Sequence, residues 1–265
     1  MALEYDVVII GPLQTNCTVI GFPSGSAICV DPGGDIDPIM EAALKLKLTI
    51  KKVYHTHGHF DHILGSGVLR KATQAELLIH KNDKAMIVNM AKQVERFGYK
   101  LNPEAEVGEA DVYFDGGEDI ELDGEVVGKI IHTPGHTPGS SSFYFPSANL
   151  VCAGDTLFAG SVGRTDLPGG NFHTIEESIK SKLYALPNDV KVIPGHGSHT
   201  SIGREKKFNM FVRDEPTADA SDSEGEKSPG GGSGTDGASG AGFSAHASHG
   251  YQCPACAMYA EEAKL

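Results

Sequence analysis

The apolar positions along the chain follow two rhythms. Short apolar runs bounded by turn residues, namely DVVIIG, TNCTVIG, SAICVDPG, KKVYHTH, AELLIH, EVVGKIIHT, SSFYFP, NLVCAGDT and DVKVIPGHG, have the length and the β-branched or aromatic content of strands. Between them, IDPIMEAALKLK, DHILGSGVLRKA, KNDKAMIVNMAKQVERFG and HTIEESIKSKLYAL carry apolar residues at helical spacing, and residues 201–211 read as a final helix. The mixture predicts a layered α/β fold with sheet inside and helices outside. No solenoid-type repeat is present, and no apolar run approaches the roughly 18 residues of a membrane span.

After Arg213 the pattern stops. DEPTADASDSEGEKSPGGGSGTDGASGAGFSAHASHG is rich in Gly, Ser and acids and almost free of large apolar residues, so it cannot bury enough surface to offset its ordering entropy and is expected to be disordered. The chain therefore divides into a domain over 1–213, an acidic Gly/Ser-rich linker over 214–250 and a short C-x-x-C segment over 251–265. Nine acidic and two basic residues follow Arg213, so that the tail holds −7 of the formal −13. This acidity, without a basic cluster, argues against a nucleic-acid partner. The N-terminus lacks the basic and long apolar regions of a secretory signal, and the five cysteines are an odd number, which together point to a cytoplasmic protein without a disulfide framework. Cys17, Cys29 and Cys152 read as small buried hydrophobes. Cys253 and Cys256, with His246 and His249, offer zinc or redox chemistry to a partner that the sequence leaves unknown.

One stretch carries unusual chemistry. In VYHTHGHFDH, residues His57, His59, Asp61 and His62 spell H-x-H-x-D-H where a strand ends and a helix can begin. Imidazole and carboxylate suit zinc and its neighbours; alternate residues of an extended turn can aim at one ion, and Asp61 and His62 at a second. A single histidine is usually an ordinary core or surface residue. A metal site on such a fold gathers further ligands from later loops. Three candidates stand in glycine-punctuated turns after strand-like runs: His136 in IIHTPGHTPGS, Asp155 in LVCAGDTLFAGS and His196 in VKVIPGHGSHT.

The ordered set THGHFDH, PGHTPGS, GDTLF and PGHG resembles the metallo-β-lactamase superfamily over roughly residues 1–213. Within it, GDTLFAGSVGRTDLPGG and PGHGSHTSIGREKKFNMFV are similar to the small glyoxalase II, or hydroxyacylglutathione hydrolase, type. The resemblance implies a four-layer αβ/βα sandwich. It implies two divalent ions, zinc with iron or manganese as alternatives, the first held by His57, His59 and His136, the second by Asp61, His62 and His196, with Asp155 bridging them. It implies a small-molecule thioester substrate, S-lactoylglutathione or a related S-acyl glutathione, attacked by a hydroxide that the metal pair generates, with Asp61 orienting it. The alternative is a mononuclear iron persulfide dioxygenase acting on glutathione persulfide. Longer glyoxalase II enzymes have a C-terminal helical region for glutathione where this chain has the low-complexity tail, so hydrolytic chemistry is better marked than the glutathione moiety.

Other residues have two readings. Asp61 suits an N-cap as well as a ligand, and Asp31 in CVDPGG suits a turn as well as support for the ligands. Arg164 can meet a substrate carboxylate or pair with Asp166 to hold its loop, the latter being favoured. His55, His80, His132, His173 and His199 are expected to be structural or surface residues, and no G-x-S-x-G elbow supports a serine triad.

Overall fold

The computed structural model describes residues 3–214. The expected linker from residue 215 onward and the C-x-x-C segment lie outside the described residues. Six strands form a first sheet in chain order: β1 (Glu4–Ile10), β2 (Thr15–Gly21), β3 (Ser26–Val30), β4 (Thr49–Tyr54), β5 (Glu76–His80) and β6 (Val112–Phe114). The first three run antiparallel and β3 to β6 run parallel. A second six-stranded sheet contains β7 (Asp119–Leu122), β8 (Glu125–His132), β9 (Ser141–Phe145) and β10 (Leu150–Gly154). After a small hairpin of β11 (Leu157–Phe158) and β12 (Ser161–Val162), it is completed by β13 (Lys191–Pro194), parallel to β10, and β14 (Thr200–Ser201). Parallel neighbours require crossovers, which helices supply. These are α1 (Asp37–Lys45), α2 (Phe60–Ile63), α3 (Ser66–Thr73), α4 (Lys84–Val88) and α5 (Met90–Arg96) on one side, α6 (Phe172–Ser178) on the other, and α7 (Ile202–Phe208) after β14.

Strand alternation builds three cores from the same few segments. Val19, Cys29, Val53, Leu77 and Ile79 point to the helices α1, α3 and α5, packing on Ile39, Leu69 and Val94. Their neighbours Ile20, Ile28, Val30, Tyr54 and Leu78 point the opposite way, onto Phe143, Phe145, Cys152 and Ile193 of the second sheet. Val151, Ala153 and Val192 face outward to Ile175, Leu183 and Ile202. Helix, sheet, sheet and helix therefore stack as a four-layer αβ/βα sandwich. A strand covered on both faces reads as a continuous apolar run, as β10 (LVCAG) does with all five residues buried.

Several expected helices are broken, each for a local reason. DHILGSGVLRKA divides at Leu64–Gly65, where the Gly65 N–H donates to Pro32 O (2.7 Å) instead of continuing the spiral. KNDKAMIVNMAKQVERFG opens with a 3₁₀ turn and breaks at Asn89, whose side-chain amide donates to Ala85 O at 2.7 Å. HTIEESIKSKLYAL passes from α6 into a π turn over Ile179–Leu183. The last helix starts after its cap Ser201 but stops at Phe208, because Asn209 turns extended and its carboxamide oxygen accepts from Phe211 and Val212 N–H.

Candidate metal centre

The candidate ligands follow the ends of strands. β4 delivers residues 55–59 and α2, the β8–β9 loop delivers His136, and Asp155 and His196 come directly after β10 and β13. At the β10 exit Gly154 adopts φ +50°, and a Cβ there would lie 2.4 Å from Thr56 Oγ1, so only glycine lets the two sheets' loops meet so closely.

All seven side chains come together. The rings of His57, His59 and His136 stand 4.7–4.8 Å apart, nearly perpendicular, with His136 Nε2 3.0 Å from His59 Nδ1. In the other half, His196 Nε2 lies 3.2 Å from Asp61 Oδ2 and 3.3 Å from His62 Nε2. Asp155 turns Oδ1 to His62 (3.4 Å) and His196 (3.7 Å), and Oδ2 to His136 (3.6 Å). His57, His59 and His136 form one group able to hold an ion, Asp61, His62 and His196 another, and His57, His62 and Asp155 a third that links them.

The hydrogen bonds behind these atoms decide which nitrogens face inward. His62 Nδ1 donates to Asp31 Oδ2 (2.9 Å), His136 Nδ1 to Arg164 O (2.7 Å) and His196 Nδ1 to Leu13 O (2.9 Å), so each neutral ring presents a bare Nε2 to the centre. The lone pairs of His62 and His196 then face each other, an arrangement favourable only with a proton or a cation between them. His57 Nε2 and Asp155 Oδ1 are buried with no hydrogen-bond partner. Orphaned buried acceptors are costly. Their convergence with the inward Nε2 atoms fits a divalent ion, and the nitrogen and oxygen donor set suits zinc, iron or manganese.

Charge is unevenly distributed over the two halves. Burial, reinforced by the neighbouring imidazoles, holds His57 well below the ordinary histidine range and His59 at about 3. Burial also opposes charge on His62 and His196, but surrounding carboxylates outweigh it: Asp61, Asp31 and Asp155 lift His62 well up, and Asp155 and Asp61 carry His196 to about 9. Asp155 is likewise pulled well down by His196, His62 and His136, and Asp61 down by His62 and His196, against the effect of burial.

The space is filled to its limit at Gly195. A Cβ there would lie 2.1 Å from Asp155 Oδ1 and 2.7 Å from His62 Cε1. Gly195→Ala is therefore expected to fold yet to retain at least one fewer equivalent of zinc after dialysis. Elemental analysis showing the parent's content would mean that the loop yields instead.

Of the two readings for Asp31, support is the one realised: it takes φ +54°, accepts from Thr56 N–H and Oγ1 at 2.7 and 2.6 Å, and orients His62. Asp61 does not cap α2; His59 occupies that position, and Asp61 lies within the helix. Arg164 makes the bidentate pair with Asp166, both contacts 2.8 Å. Buried His55 bonds Leu78 O and Ser66 Oγ, and His80 stacks on His132 at 4.1 Å. His173 and His199 are exposed. The sequence did not point to Asn16, whose carboxamide donates to Pro194 O and Gly197 O on either side of His196, or to Asp83, which receives both loops of the three-histidine group. Their partners are remote in the chain, and neither residue lies in a motif.

A family model described as the metallo-beta-lactamase superfamily matches residues 10–196. The chain is 34% identical over 212 residues to the hydroxyacylglutathione hydrolase GloC of Haemophilus influenzae, covering 79% of this chain and 98% of that protein. Among solved structures, the B3 metallo-beta-lactamase BLEG-1 superposes with a TM-score of 0.73 at 30% identity, covering 79% of this chain and 99% of its own. TTHA1623, in a di-iron-bound form, superposes with a TM-score of 0.70, also at 30% identity, covering 78% and 100%.

Proposed function

The chain belongs to the metallo-β-lactamase superfamily, and from that premise we propose that it is a cytoplasmic dinuclear metallo-hydrolase of glyoxalase II type, cleaving a small S-acyl glutathione such as S-lactoylglutathione. The observation that carries the proposal is Asp155, a single carboxylate that gives one oxygen to each half of a seven-residue histidine and aspartate cluster. The similarity to GloC supports the thioester. The di-iron form of TTHA1623 supports a pair of ions. Nucleic acid and membrane are not proposed as partners; no helix among the described residues is long and apolar enough to cross a bilayer.

His57, His59 and His136 would hold one ion, Asp61, His62 and His196 the other, and Asp155 would touch both. Two bound divalent ions supply a water ionised near neutral pH and an electrophile for a carbonyl oxygen. The protein's part is positional. Asp31 fixes the tautomer of His62, and the carbonyls of Arg164 and Leu13 fix those of His136 and His196, so that no ligand reorganises during turnover. Asp61, whose Oδ2 lies 3.2 Å from His196 Nε2, would help hold the second ion and accept a hydrogen bond from the attacking water, so orienting it. A thiolate leaving group, with a conjugate-acid pKa of roughly 8–9, departs without a dedicated acid.

The test is elemental analysis of the purified protein with parallel assays of S-lactoylglutathione hydrolysis and of oxygen uptake with glutathione persulfide. Two metal equivalents with hydrolysis are expected. A single iron with oxygen uptake and no hydrolysis would replace this proposal with the dioxygenase.

A further inference from the structure

Asp83 stands at the start of α4, outside every recognised motif, and is fully buried. Burying a carboxylate is costly unless strong hydrogen bonds offset the loss of water. Burial pushes the Asp83 carboxyl above its ordinary range, and three donors from two loops of different sheets work against that cost. Oδ2 accepts from Gly58 N–H (3.0 Å) and Thr137 Oγ1 (2.7 Å), and Oδ1 from Gly139 N–H (2.7 Å). Gly58 is the residue between His57 and His59, and Thr137 follows His136. One side chain thus grips the backbone at the middle of the H-x-H turn and beside the third histidine.

The fit is close at both contacts. A Cβ on Gly139 would lie 2.5 Å from Asp83 Cγ, and one on Gly58 3.2 Å from Asp83 Cβ. The other face of Gly58 is held as well, its carbonyl accepting from Gln93 Nε2 at 2.9 Å. The Asp61/His62/His196 half has separate supports: Asp31 on His62, Thr15 Oγ1 on Asp61 O at 2.8 Å, and Asn16 around His196. Asp31 also reaches His57 through Thr56, whose Oγ1 donates to it and lies 3.1 Å from His57 Nδ1, whereas Asp83 touches only the loops of the three-histidine half.

We propose that Asp83 is the positioning residue for the three-histidine half, and that an ion held by His57, His59 and His136 depends on the Asp83 carboxylate while one in the other half does not. The inference rests on the metallo-hydrolase reading. Asparagine is the informative replacement, because its NH₂ must face either Gly58 N–H or Gly139 N–H and so removes one of the two backbone grips. The loops stay linked through Ser141 N–H to Thr56 O (2.8 Å), so the variant keeps its fold.

The test is zinc titration against a competing chelator, in the full chain, for the parent, Asp83→Asn, and Asp83→Asn combined with His59→Ala or with His196→Ala. Asp83→Asn is expected to hold one of two equivalents about 10- to 100-fold more weakly. With His59→Ala the remaining equivalent keeps the affinity of His59→Ala alone; with His196→Ala it weakens by the full factor. A merely structural loss would weaken binding in both backgrounds, and that result, or parent-like affinity in Asp83→Asn, overturns the proposal. A parent that binds no zinc sinks the metallo-hydrolase reading itself, whereas two equivalents in the parent with no background dependence sink only the brace.

Discussion

Asp155→Ala is expected to hydrolyse S-lactoylglutathione about 10³-fold or more slowly than the parent, a loss of about 4 kcal/mol of transition-state stabilisation. Asp155 is the one side chain whose two oxygens face different halves of the cluster, so its removal withdraws a ligand from both at once. Its effect on the metal-free protein is also large. Asp155 is among the carboxylates that raise the pKa of His62 and His196, and without it the proton shared by these two buried imidazoles loses a counter-charge. The variant should therefore show a lower Tm without metal as well as fewer than two bound equivalents. Asp155→Asn keeps the shape and removes the charge; similar losses in both variants assign the effect to the carboxylate rather than to a cavity. Turnover within tenfold of the parent, with two ions bound, would refute the shared role of Asp155.

The centre was largely legible in the sequence because its chemistry is local. H-x-H-x-D-H places four candidates in six residues, and His136, Asp155 and His196 each follow a strand-like run and stand beside glycine, where a loop can bring a ligand close. The supports were legible only where they lie beside a motif. Asp31 ends CVD, but Asp83 sits in KNDK, which reads as the start of a solvated helix, and its three partners are 25, 54 and 56 residues away. Nothing in a linear pattern encodes such a meeting. The same holds for the fold: the three-core stacking follows from strands that are apolar on both faces, whereas β6, β7, β11, β12 and β14 are four residues or fewer, too short for alternation to register. Helix breaks at Gly65 and Asn89 are side-chain and loop hydrogen bonds competing with a spiral whose apolar spacing continues past them.

The two halves should answer pH in opposite ways. In the metal-free protein, His196 has its pKa raised to about 9 and His62 is raised as well, so the stability they contribute is complete below the unfolded imidazole value of about 6.5 and is lost as pH climbs through 9. His57 and His59 are depressed, the latter to about 3. The unfolded chain takes up their protons first, so their effect is to reduce stability as pH falls from about 6.5 towards 3. Denaturant titrations of metal-free protein should accordingly find greatest stability near pH 6.5, with a decline on both sides. Metal binding adds the discriminating measurement. An ion entering the Asp61/His62/His196 half must displace the proton lying between His62 Nε2 and His196 Nε2, so its affinity should rise by up to about tenfold per pH unit between about 6.5 and 9. An ion entering among His57, His59 and His136 meets two imidazoles that are already neutral, and much less of its affinity should depend on pH there. Zinc competition at pH 6.5, 7.5 and 8.5 in His59→Ala and His196→Ala isolates one half at a time: the steep slope belongs to the first variant, and equal slopes would show that the carboxylates do not hold the proton between His62 and His196.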